Sequence, residues 1–174
     1  MRPGYLARAL SAALMVVALC PANATESPAP AMRSKSLLSL NWQDAQTQHH
    51  SLKLDLSQLD ALPQRELIQE LPTPLGIPGE HHWQGISLRE LLKLSGRQST
   101  SLRLMALNGY FAQIPMTDIE RFDPLLAYRR DGQNLTIRDK GPFILIYPFD
   151  QSRELNQQIY INRSVWQIHE IHIE

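Results

Sequence analysis

Six histidines, one cysteine and a short basic cluster are the side chains of this 174-residue chain whose types go beyond packing. The histidines come as His49-His50, His81-His82, His169 and His172. Zinc takes ligands whose spacing lets them converge on one point. Neighbouring residues of a strand point to opposite faces, so a His-His pair does not converge by itself. No His-x-x-x-His pair and no nearby thiol supports them, and a solvated surface is the plainer reading. His81-His82 stand out slightly because they precede Trp83 in a Pro/Gly-rich stretch. No metal ligand set is expected. No serine sits in a Gly-x-Ser-x-Gly elbow, and Cys20 lies in the N-terminal apolar run, so hydrolase chemistry has no nucleophile. There is no glycine-rich phosphate loop, and Lys140-Gly141-Pro142 is too short to cradle a phosphate alone. No catalytic residue is expected.

Two groups remain as candidate contacts for a ligand. Arg129, Arg130, Arg138 and Lys140 flank an Asp131-Gly132 turn, which brings them together. Arg129 and Arg130 point to opposite faces of a strand, so one of them can face a cleft and hold an anion by bidentate hydrogen bonds. The plainer reading pairs these charges with Asp131 and Asp139 as a solvated rim. Trp83, Tyr110 and Tyr147 suit a pocket wall or a core equally, being aromatic with a polar tip. Tyr110 directly follows a tight turn and stands open between the two. Trp166 is expected in the core. The candidate ligand contacts are Asn108, Tyr110, Arg130 and Tyr147.

The elements that must position these residues begin after a leader. Arg2 and Arg8 precede an apolar run, Ala9 to Cys20, that Pro21 ends and Ala22-Asn23-Ala24 follows. A basic start, a short apolar run and a small-x-small site describe a secretory signal, too short to span a membrane. Residues 1–24 are expected to be removed, placing the protein in the periplasm or outside the cell. Lipidation at Cys20 is the alternative, disfavoured by the bulky Leu19 before it. Residues 25–35 carry Pro28 and Pro30 among Ala and Ser and read as a flexible tether. Residues 36–174 form one domain, long enough to bury roughly two thirds of its unfolded surface. Without Arg2 and Arg8 there are 15 basic against 17 acidic residues. No basic stripe runs along any segment, which speaks against nucleic acid as a partner. No disulfide is available after Cys20, so the domain depends on its core.

Strands are expected at 36–40, 51–56 and 66–71, with a helical turn at Leu59-Asp60-Ala61-Leu62-Pro63 and a loop at 72–79. Ser87 and Glu90 form a capping box for a helix over 87–95, with Ile86 and Leu91 as a staple and Gly96 as its stop. Thr117 and Glu120 repeat the box on a short helix before Pro124. Asn108-Gly109 and Asp131-Gly132 each predict a hairpin, because these residues tolerate positive φ. Phe143 to Tyr147 reads as a strand buried on both faces. In the last strand Trp166 and Ile168 share one parity and Ile171 and Ile173 the other, which predicts a β-bulge near His169-Glu170.

Several short motifs keep one order along the chain: Trp83-Gln84-Gly85, Ala106-Leu107-Asn108-Gly109-Tyr110, Ile114-Pro115, Leu125-Leu126-Ala127, Asp131-Gly132 and Gly141-Pro142, closing at Tyr147-Pro148. In order and spacing, over roughly residues 52–173, they resemble the small exported proteins of the sulfite-oxidase-type molybdopterin-binding family. The resemblance implies a mixed α+β fold, mostly β with short helices. It also implies a molybdenum held by a cysteine thiolate in the loop after the third strand, where this chain reads Pro72-Thr73-Pro74-Leu75-Gly76. The family's Gly-x-Pro-x-Arg landmark places Ile144 where arginine is implied, and its Lys-Trp pair is Val165-Trp166 here. With thiolate, arginine and lysine all replaced, no cofactor is expected. The expected function is an exported, non-catalytic binding module for a small ligand or a membrane-anchored sensor or redox partner. The alternatives are a molybdopterin-dependent oxidoreductase with atypical ligation, in which Asn108, Tyr110 and Arg130 help hold the pterin, and an accessory protein for a redox enzyme. Amino-terminal sequencing of the exported protein is expected to begin at Thr25; a start at a lipid-modified Cys20 would overturn that reading.

Overall fold

A computed structural model describes residues 37–174; the expected leader and tether and Ser36 lie outside the described residues. In chain order the strands are β1 (Leu38–Gln43), β2 (His49–Leu54), β3 (Arg65–Glu70), β4 (Glu80–Ser87), β5 (Ser101–Ala106), β6 (Phe111–Pro115), β7 (Leu125–Arg130), β8 (Gln133–Asn134), β9 (Phe143–Ile146) and β10 (Trp166–Ile173). Four short helices interrupt them: α1 (Leu56–Asp60), α2 (Leu88–Lys93), α3 (Met116–Phe122) and α4 (Gln158–Arg163). The main path of the sheet runs β2-β1-β10-β9-β7-β4-β3, with β5 and β6 branching from β10 and β8 from β7. Every pairing is antiparallel except that of β1 with β10. Among the described residues, no helix is long and apolar enough to cross a membrane.

β10 is the strand on which the two wings meet. Its first residues pair with β9, and its last with β1 on one side and β5 on the other. The register slips against β5 between Ile168 and Glu170, which is the bulge that the change of apolar parity predicts. A second slip, against β9, lies between Trp166 and Ile168, where Gln167 takes φ +57. Phe143 to Ile146 are buried throughout, as a strand covered on both faces requires.

The turns follow their residue chemistry. Asp131 and Gly132 both take positive φ between the paired Arg130 and Gln133, a two-residue type I′ turn. At Asn108-Gly109 only Gly109 does so. Gly109 N–H bonds to the Ala106 carbonyl, and Ala106 N–H to that of Tyr110, so the loop has three residues and not two. Ser87 accepts the Glu90 N–H as the cap of α2, but the Glu90 carboxylate pairs with Lys93, leaving half a capping box. The box expected at Thr117 and Glu120 does not form; α3 starts after Pro115 without a side-chain cap. A complete box instead joins Asp55 and Gln58 at α1, so Leu56 is helical and not the end of a strand.

Trp83 is fully buried, its indole N–H on the Gln69 carbonyl, so it is a core residue. Two residues on, Gly85 pairs with Ala127 of β7 where the register between the two strands shifts. A Cβ there would sit 2.1 Å from the Leu126 carbonyl oxygen and 2.8 Å from Ala127 Cα. Both obstacles are backbone and cannot swing aside. Gly85→Ala is expected to destabilise the domain at the upper end of the about 1–3 kcal/mol that overpacking costs, read as a lower urea midpoint at unchanged slope.

Candidate functional site

A pocket of about 390 Å³ opens where three segments approach the start of β10. The β5–β6 turn supplies Asn108 and Tyr110, α4 supplies Gln158, Ile161 and Asn162, and a 3-10 turn at Thr73–Leu75 supplies Pro74 and Leu75. Ala106, Ser164, Val165 and Trp166 complete it. Tyr110 is 50 % exposed, and its hydroxyl donates to the Asn162 carbonyl at 3.0 Å, tying the turn to the helix. The Asn108 side chain accepts the Tyr110 N–H at 3.0 Å and holds the turn. Gln158 donates to Asn162 across one helical turn at 2.8 Å. The lining is thus aromatic, aliphatic, amide and hydroxyl, with no charged side chain.

α4 is a short helix that gets its position from a buried cluster. Asp118 of α3, only 5 % exposed, accepts both the Arg163 guanidinium and the Tyr147 hydroxyl, each at 2.7 Å. Burial, then the hydrogen bond to Asp118, pushes the Tyr147 phenol above its ordinary value. Tyr147 is therefore a core donor that fixes the pocket wall and not a contact in it, which corrects its placing among the ligand contacts. Asn108 and Tyr110 do line the pocket.

Arg130 belongs to a neighbouring cleft of about 280 Å³, formed with Gly76, Ile77, Pro78, His81, Arg138, Asp139 and Lys140. Arg129 points the other way, as alternation requires, and binds Asp60 at 2.7 Å. That bond holds Asp60 below the usual carboxylate range and raises Arg129. The His82 backbone N–H, then the His81 ring, hold Asp131 low as well. These two carboxylates support the fold above the ordinary carboxylate range, and that support is lost as pH falls through their lowered values.

Trp166 departs from its expected place in the core. It is half-buried, lines the pocket, and carries the Lys140 ammonium 4.1 Å from its ring centroid. The Lys140–Trp166 pair and the loop from Pro74 to Pro78 form the wall between pocket and cleft. Gln158 and Asn162, four apart on one helix face, were the signal for the wall that sequence reasoning missed.

The chain is similar in fold to a sulfane dehydrogenase. That structure, SoxCD from Paracoccus pantotrophus, superposes with a TM-score of 0.53 at 14% identity, over 78% of this chain and 38% of that one. This chain spans well under half the length of its neighbour. No family model matches, and no curated protein sequence does. The likeness bears out the fold class, mixed α+β, mostly β with short helices.

The donor set of the pocket does not fit the molybdopterin that the sequence resemblance implies. The pterin's phosphate calls for cations and molybdenum for a soft anionic ligand. The pocket presents neither, and the loop where a thiolate is implied brings Pro74 and Leu75 to it. Ile144 and Val165 are buried in apolar surroundings. Among the described residues no three His, Cys, Asp or Glu side chains group as metal ligands. His50, His81, His82 and His172 each face a carboxylate.

Because Trp166 is a pocket wall, Trp166→Ala is expected to cost only about 1–2 kcal/mol of stability. Trp83→Ala, by contrast, is expected to cost about 3–5 kcal/mol. Urea unfolding of the two variants side by side reads the difference, and equal losses would return Trp166 to the core.

Proposed function

We propose that this protein is an exported, non-catalytic binding module that holds a small, uncharged ligand in the pocket between the β5–β6 turn and α4. The single observation that carries the reading is the pocket's lining of ring, amide and hydroxyl groups without one charged side chain. Such a surface recognises a ligand by stacking and neutral hydrogen bonds, and leaves a buried anion uncompensated. Trp166 and Tyr110 offer apolar faces, and Asn108, Gln158 and Asn162 offer donors and acceptors. Export rests on the leader and its Ala22-Asn23-Ala24 site.

The turn and helix that line the pocket also expose Leu107 and Ile159, at 47 % and 48 %. Exposed apolar side chains beside a ligand site favour a protein partner that reads the loaded state, such as a membrane-anchored sensor or redox protein. The fold neighbour's name makes an oxidoreductase the second reading, and the chemistry of the lining stands against it.

The test is to express the full chain with its leader in a host that makes molybdopterin, purify it from the periplasm, and analyse both metal and retained small molecules. The expected result is molybdenum far below one atom per chain, with a neutral organic ligand that Asn108→Ala and Tyr110→Ala variants fail to retain. Molybdenum near one atom per chain with a recoverable pterin would overturn the reading.

A further inference from the structure

The cleft behind the Lys140–Trp166 wall has the opposite chemistry to the pocket. Arg130, Arg138 and Lys140 line it against one carboxylate, Asp139. They come from separate places in the fold. Arg130 ends β7, while Arg138 and Lys140 belong to a 3-10 turn at Ile137–Asp139 that Thr136 caps and Lys140 closes at φ +67. The turn places Arg138 and Lys140 in the same cleft as Arg130.

The cations are left short of acceptors. Asp139 takes its own hydrogen bond from the Thr136 hydroxyl at 2.6 Å. Arg130 lies 5.9 Å from the Trp83 ring centroid and approaches Asp139 only to 3.6 Å, beyond hydrogen-bond reach, although its side chain is three-quarters buried at 26% exposure. Lys140 lies over the Trp166 ring. Among the described residues Arg138 makes no ion pair, and none of the three side chains donates a hydrogen bond to the protein. A guanidinium buried to that extent, with no acceptor in hydrogen-bond reach, is costly unless a ligand supplies one. His81 is not such an acceptor: its ring nitrogens engage Asp131 at 2.7 Å and the Pro78 carbonyl at 3.0 Å.

We propose that this cleft is a binding site for a tetrahedral oxyanion, a phosphate or sulfate group, held by the Arg130 and Arg138 forks and the Lys140 ammonium. Guanidinium groups meet such oxygens in bidentate pairs, and the ammonium adds a point charge. The cleft, about 280 Å³, exceeds the needs of one small anion and leaves room for the group that carries it. The proposal does not rest on what the neutral pocket binds, so either reading can fail without the other.

The test is thermal unfolding of the leader-free domain titrated with sodium phosphate or sodium sulfate, against sodium chloride at equal ionic strength. The expected result is a saturable rise in Tm with phosphate or sulfate and none with chloride. The rise is expected to vanish in an Arg138→Gln/Lys140→Asn double variant, Arg138 being exposed and Lys140 partly buried, and to persist in Arg153→Gln. Arg130→Lys keeps the charge but loses the fork, and is expected to raise the dissociation constant about tenfold. Sedimentation with phosphatidylglycerol vesicles separates the sources. Binding that the double variant loses assigns the oxyanion to a lipid headgroup; a Tm rise without sedimentation assigns it to a soluble ligand. Neither a saturable rise nor sedimentation, or a response equal in the double variant, overturns the proposal.

Discussion

The arrangement of both sites depends on one residue held in an uncommon backbone conformation. Gln167, at φ +57, interrupts β10 just after Trp166. Its backbone N–H donates to the Lys140 carbonyl at 2.9 Å, and its carbonyl accepts the Leu107 N–H at 2.9 Å. Its side-chain amide donates to the Ile137 carbonyl at 3.0 Å. One bulge thus grips the turn that carries Arg138 and Lys140 and the turn that carries Asn108 and Tyr110. A regular strand would spend those backbone groups on its neighbours' ladders. The bulge frees them to hold loops, which is why bulges recur beside functional sites.

The second constraint acts on α4. A six-residue helix cannot hold itself in water. Here Asp118 anchors it through Arg163, Tyr147 shares the same carboxylate, and Ser164 bonds back to the Tyr160 carbonyl. Breaking one partner of such a buried ion pair leaves a charge uncompensated, so the wall is set by the core and not by local helix propensity. The pocket is consequently built from two weak local elements that tertiary contacts make rigid.

Side by side, pocket and cleft divide the work that a charged cofactor site would combine. The pocket is neutral and ring-lined; the cleft is cationic. Lys140 lies between them with its charge over Trp166, where the ring's quadrupole favours it. The fold is shared with a sulfane dehydrogenase at low identity, and fold alone does not carry an activity from one chain to another.

Local chemistry in the sequence determined much of the frame: the type I′ turn at Asp131-Gly132, the doubly buried Phe143–Ile146 strand, the Ser87 cap, and the bulge announced by the parity change after Ile168. Each is decided within a few residues, by φ preference, period or a capping side chain, and such signals survive without knowledge of the neighbours. Asn108 and Tyr110 line a pocket for the same reason, since a tight turn exposes its own residues and the next one along the chain. What only the tertiary structure decided is which polar-tipped residue faces a cavity. Tyr147 and Trp166 look alike in the sequence, each aromatic and each in or beside an apolar strand. Tyr147 is buried because Asp118, 29 residues earlier in the chain, offers its hydroxyl an acceptor. Trp166 is left half-open because the bulge at Gln167 displaces the start of β10 from the regular ladder. Arg129 and Arg130 divide likewise: alternation sends them apart, but only the packed fold puts Asp60 on one side and a cleft with more cations than carboxylates on the other.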